Sequence, residues 1–364
     1  MKKISAFCLL LLLLGGCSWQ KPKADIKSDI KIGAILSLTG DAAGYGEFAR
    51  KAINLAAEEI NSSGGVKGRN LKIIFEDDST DSKNAVTAFR KLVDVDKVDG
   101  IIGGMWDFTA QPLLPLALDS NITFITPTNF RIDGSFEMNK NTFTMMPDFD
   151  KVLSLSESYI TKENVKKLGV VRFASDFGQQ ITKTLKSIME KQGGEIFDET
   201  YNDIGGNDFR TTILKLKDKG VDTVFLDMLD TDLISFLTRS KELNFTPKVI
   251  SHPIALDLLN NDRVSNELIN GITLINWEVQ LKQFADNFRA RYGIEPAKSA
   301  DRSYDAVYVL ATAIASDNDI STYIERNQFE TIDGAFNFTA NHTVENIPVK
   351  IQVIQDKKLV EYKN

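Results

Sequence analysis

Cysteine is nearly absent: the 364-residue chain holds only Cys8 and Cys17. Cys8 lies inside an N-terminal apolar run, so beyond Cys17 no thiol remains for a disulfide, a metal or a nucleophile. Histidine is equally scarce, with His252 and His342 alone, and a histidine without neighbouring ligands makes no metal site. Surplus positive charge is missing too. The net charge is −7, and Lys and Arg are scattered among acids, which excludes the clustered basic face that nucleic acid requires. After the first residues no apolar stretch is long enough for a membrane helix. "GGMWD" and "TGDAAGYG" lack the lysine of a phosphate loop, and no other catalytic constellation occurs. The chain reads as a non-enzyme without metal or cofactor.

What is present begins with "MKKISAFCLLLLLLGGCSWQ". Two lysines precede a short apolar run from Ile4 to Leu14, which suits the central region of an export signal. Leu14-Gly15-Gly16-Cys17 resembles the lipobox of bacterial lipoproteins, implying a signal over residues 1–17 and a lipid on Cys17. Residues 18–29 are polar, lysine-rich and aperiodic, so they read as a flexible tether. The expected location is extracytoplasmic, anchored to a membrane through Cys17. A secretory signal with an incidental cysteine is the alternative.

From Ile30 onward two patterns alternate. Apolar runs such as "IKIGAILS", "NLKIIFED", "VDGIIGG" and "ITFIT" have the character of buried parallel strands. Between them lie segments with helical spacing, such as "YGEFARKAINLAAEEINSSGG", where Ile53, Ala56, Ala57 and Ile60 share a face and Gly64-Gly65 is a stop. The series restarts at "KKLGVVRF" and runs through "GGEIFDETY", "VDTVFLDM" and "KVIS". Two successive α/β units imply two similar lobes, each a parallel sheet flanked by helices. Two further helices, "VQLKQFADNFRARYG" and "DRSYDAVYVLATAIA", precede a closing hairpin in "VKIQVIQDKKLVEY". Ligands of such sheets bind beyond the carboxyl ends of the strands.

The segment "IGAILSLTGDAAGYGEFARKAINLAAEEINSSGG", with "IIGGMWDFTAQPLLPLA", "ITFITPTN", "NDFRTTILKLKDKGVDTVFL" and "RSYDAVYVLATAIA" after it, resembles the leucine/isoleucine/valine-binding group of type I periplasmic solute-binding proteins. The resemblance implies a two-lobed α/β fold with three hinge crossings near Pro147, Asn276 and Pro348. One lobe would comprise residues 30–147 and 277–347, the other 148–276 and 348–364. It also implies a small-molecule solute trapped by lobe closure and an ABC transporter permease as partner. A sensing module of the same fold, signalling to a membrane receptor, is the alternative.

The resemblance fixes the ligand less well. The position matching the family's carboxylate-binding hydroxyl is Asp107, the assisting threonine falls on Phe130, and the ammonium-binding acid falls near Pro253. Tyr45 alone follows the pattern. Two like charges about 4 Å apart, at an effective dielectric near 20, repel by about 4 kcal/mol. An ionised Asp107 would therefore exclude a carboxylate and favour an ammonium, a guanidinium or a neutral donor. Candidate ligand-binding residues are Tyr45, Trp106, Asp107, Phe108, Thr128, Asn129, Phe177, Asp227, His252 and Trp277. Each has a plainer role beside it. Asp107 is also a good helix cap, Thr128 and Asn129 suit a turn after Pro127, and His252 and Trp277 could simply pack. Of Asp227 and Asp230, one is expected to start a helix. An amide, an amine or another small polar solute fits this set.

Overall fold

The computed structural model describes residues 28–128, 139–276, 282–297, 300–316, 318–331, 334–345 and 349–363. Strand β1 (Ile30–Leu36) is almost wholly buried, as its unbroken apolar sequence requires. The helix Ala43–Ser62 lays Ala49, Ala52, Ile53 and Ala56 against it. β2 (Leu71–Asp77), β3 (Gly100–Gly103), β4 (Phe124–Thr126) and β5 (Thr142–Thr144) complete a five-stranded parallel sheet in the order β2-β1-β3-β4-β5. Ile32, Ala34 and Leu36 face one core with the helix Ala300–Ala315, while Ile35 and Ile101 face a second with Phe89 and Phe124.

A second sheet is built alike. β6 (Lys167–Phe173), β7 (Glu195–Tyr201), β8 (Thr223–Asp227), β9 (Lys248–Ser251) and β10 (Thr273–Asn276) run parallel. Between them stand the helices Asp176–Lys191, Arg210–Asp218 and Asp230–Glu242. A short antiparallel sheet of β11 (Phe329–Thr331), β12 (Gly334–Phe338) and β13 (Val344–Glu345), not expected from the sequence, packs on the first lobe through Phe329, Phe336 and Phe338. The hairpin of β14 (Lys350–Gln355) and β15 (Lys358–Glu361) extends the second sheet antiparallel to β10.

The chain passes between the sheets after Thr144, after Asn276 and after Glu345. Two passages run side by side: the Val344 amide donates to the Met146 carbonyl at 3.0 Å, and the Thr144 amide to the His342 carbonyl at 3.0 Å. Residues 277–281 and 346–348, which hold much of the other expected crossings, lie outside the described residues.

Close backbone approach sets the loop after β1. A Cβ at Gly46 would stand 1.9 Å from the Ser37 carbonyl oxygen, so only glycine lets this helix reach the strand end. Gly44, two residues earlier, faces open space. Gly46→Ala is expected to cost about 1–3 kcal/mol through forced displacement, despite alanine's better helix propensity. Gly44→Ala should be neutral or stabilising by up to about 1 kcal/mol. Urea denaturation of both variants checks the contrast.

Candidate functional site

The segments leaving the carboxyl ends of β3, β4, β6, β7, β8 and β9 line one cavity between the lobes, with about 150 Å³ of free internal volume. Its wall includes Tyr45, Trp106, Asp107, Phe108, Thr128, Phe177, Asp227 and His252, all named from the sequence. Asn129, Trp277 and Cys17 lie outside the described residues.

Asp107 opens the short helix Asp107–Ala110 and is buried. Its Oδ1 accepts from the Phe108 amide at 2.9 Å and its Oδ2 from the Phe177 amide at 2.9 Å. Phe177 is the second residue of the second lobe's helix Asp176–Lys191, whose first amides have no partner within the helix. Ser175 caps the Gly178 amide at 3.1 Å, and Asp107 reaches across the cleft to the amide before it. Burial pushes the Asp107 carboxyl above its ordinary value, the Phe177 and Phe108 amides pull it back, and Asp227 adds to the rise. The carboxylate is thus both a helix-start acceptor and a bridge between lobes.

A second bridge joins the lobes beside the cavity. The Tyr45 hydroxyl donates to Asp230 Oδ1 at 3.3 Å. Burial first, then Asp257 and Asp230, hold the Tyr45 phenol well above its usual range, so it stays a donor. Asp230 starts the helix Asp230–Glu242 and also accepts from the Thr231 amide at 2.8 Å.

Aromatic rings supply most of the remaining wall. Trp106 is fixed by its Nε1, which donates to Ser37 Oγ at 3.2 Å, while Ser37 donates to the buried Asp78 at 2.7 Å. Tyr45 meets Trp106 edge-on at 5.8 Å. Phe108 of the first lobe lies 6.1 Å from Phe173 of the second. Phe177 rests on Phe149 at 4.6 Å and meets His252 at 6.4 Å.

His252 and Asp227 form a buried pair, with Nε2 and Oδ1 3.0 Å apart. The Tyr201 hydroxyl donates to the Asp227 main-chain carbonyl at 3.1 Å. The main-chain groups of Thr128 serve the local turn: its amide donates to Thr126 Oγ1 at 3.2 Å, and its carbonyl accepts from Thr144. The residue also lines the cavity. Among the described residues, no three His, Cys, Asp or Glu side chains gather to hold a metal ion.

Sequence reasoning missed Met146, Tyr201, Ile204 and Ile254, whereas Met105, Phe173, Ser175, Met228 and Leu229 lie in strand-end segments that it expected to face the cleft. The strand-end rule carries a signal for most of them: Tyr201 ends β7 as Phe173 ends β6. Met146 lies in a crossing, where that rule gives no guidance.

A family model described as periplasmic binding protein matches residues 29–349. The chain belongs to the periplasmic binding protein family. The Leu/Ile/Val-binding protein of Escherichia coli is 21% identical over 334 residues, covering 88% of this chain and 90% of that one. The branched-chain amino acid transporter substrate-binding protein LivJ of Streptococcus pneumoniae, solved with isoleucine, superposes with a TM-score of 0.79 at 22% identity, covering 91% of this chain and 97% of that one. An ABC-transporter solute-binding protein of R. palustris, solved with benzoate, gives a TM-score of 0.79 at 19% identity, covering 92% and 95%. These are binding proteins, not enzymes. Within the periplasmic binding protein family, this chain is similar to the Leu/Ile/Val-binding group and shares its two-lobed α/β fold.

The Asp107 bridge has a local consequence. Hydrogen bonds to a charged acceptor contribute about 1.5–3 kcal/mol. Asp107→Ala should therefore speed exchange of the Phe177 amide by about 10- to 100-fold. The Gly178 amide, held by Ser175 within one lobe, should keep its protection. Hydrogen exchange resolved to single amides by NMR distinguishes the two.

Proposed function

We propose that this protein captures a small solute outside the cytoplasmic membrane and delivers it to an ABC importer, its two lobes closing on the ligand. The observation that carries the reading is the cavity lined from both lobes and spanned by the Asp107–Phe177 and Tyr45–Asp230 hydrogen bonds. A site shared between two lobes binds only when they meet, which couples occupancy to closure. The permease would read that closed form.

Cys17 is proposed to carry the membrane anchor, with residues 18–29 as tether. Among the described residues no helix is long and apolar enough to cross a membrane. Stable anchoring takes more than one acyl chain, and the tether would let the lobes reach a transporter.

Relatives of this fold are named for branched-chain amino acids or were solved with isoleucine or benzoate. This cavity has an acidic character. Among the described residues neither Lys nor Arg lines it, and Asp107 and Asp227 do. A ligand with an apolar body and a hydrogen-bond donor suits these walls better than an aliphatic zwitterion held by its carboxylate.

A thermal-shift screen of amino acids, benzoate, amides, amines, polyamines and nucleosides tests the capture reading. A ligand at about a hundred times its Kd adds about 2.7 kcal/mol to stability, which raises the melting temperature by several degrees. A shift with one class of small solute is expected, and none across the panel would contradict it. In cells, Cys17→Ala should move the protein out of the membrane fraction or leave it unprocessed. Unchanged processing and retention would remove the anchor.

A further inference from the structure

The two carboxylates in the cavity wall are not equivalent. Asp107 commits both oxygens to the protein's own amides. Asp227 commits one: Oδ1 meets His252, whereas its buried Oδ2 has no hydrogen-bond partner among the described residues. The residue is only 7% exposed, and a buried carboxylate oxygen without a donor is destabilising.

Among the described residues no cation supplies that donor. Arg172 stands opposite Asp227 in the β6–β8 ladder. Its guanidinium is committed to Asp198, through Nε to Oδ1 at 2.9 Å and a terminal nitrogen to Oδ2 at 2.8 Å. Gly178 packs closely beside the carboxylate: a Cβ there would stand 3.2 Å from Asp227 Oδ2 and 2.5 Å from the Phe173 carbonyl oxygen. The surroundings are acidic as well. A recess sharing Tyr45 and Leu229 with the cavity is lined by Asp41, Asp230, Asp257 and Glu295, although Glu295 is paired with Arg289.

We propose that Asp227, held in place by His252, receives the ligand's charge, and that the ligand is a small apolar molecule bearing one protonated amine and no carboxylate. The inference rests on the solute-capture reading and names the ligand class for that site. An amine nitrogen at Asp227 would complete the carboxylate, and the aromatic wall would attract the same cation by its ring faces. The apolar body has a size limit. A dry cavity of about 150 Å³ accommodates a benzene-sized group, and this one has about the same free volume.

Calorimetry on the purified full-length protein tests this with benzylamine, benzyl alcohol, benzoate and leucine. On the wild type, benzylamine should bind at least about 10-fold more tightly than benzyl alcohol, with benzoate and leucine weaker than either. Asp227→Asn should weaken benzylamine by about 30-fold and benzyl alcohol by only a few-fold. Asp107→Asn should weaken both alike, because it acts through the bridge between lobes. A wild type that fails to bind benzylamine, or does not prefer it to the alcohol, overturns the proposal whatever the variants do. An unchanged amine-to-alcohol ratio in a folded Asp227→Asn protein overturns it too. Tight benzoate or leucine binding indifferent to Asp227 would overturn this ligand class and leave solute capture standing. Absence of binding by these four and by the whole thermal-shift panel would bring down both.

Discussion

The Asp107 carboxylate ties the start of a first-lobe helix to the start of a second-lobe helix by two backbone amides. A buried charge is tolerated only where donors surround it, and here the donors belong to different lobes. The carboxylate is therefore satisfied in full only when the lobes meet. The same approach puts Phe108 beside Phe173 and Tyr45 beside Asp230. These contacts surround the cavity that lies between the lobes.

Rigid lobes make such a bridge effective. Trp106, next to Asp107, is held through Ser37 to Asp78 in the core of the first lobe. On the facing lobe, Arg172 is locked to Asp198 and Tyr201 to the Asp227 backbone, so the strand ends present fixed side chains. The two halves of the wall also divide their roles. The first lobe contributes Tyr45, Trp106 and the satisfied Asp107, while the second contributes the Asp227–His252 pair. An apolar body flanked by a few orienting polar groups is the usual arrangement of a small-molecule site.

Much of this was legible in the sequence, for physical reasons. Buried parallel strands must be continuous apolar runs, and strand ends in an open α/β sheet must face the ligand. Trp106, Asp107, Phe177, Asp227 and His252 could therefore be placed from the order of the chain alone. Asp107's partner could not, because it is a backbone amide 70 residues away and amides carry no signature in sequence. β5 and the β11–β13 sheet were invisible for a different reason. Strands of two to five residues are too short for a periodic pattern, and Thr142–Thr144 is polar at two of its three positions. Tyr201 escaped notice because β7 is a half-exposed edge strand, which looks like surface rather than site.

Lobe closure has a direct physical signature in solution. Small-angle scattering of wild type and Asp107→Ala, each with and without a solute that raises the melting temperature, measures it. If the cleft closes by the bridge described, unliganded Asp107→Ala has a larger radius of gyration than the wild type, and saturating solute returns it to the wild-type liganded value. Identical radii in all four samples would contradict capture by closure.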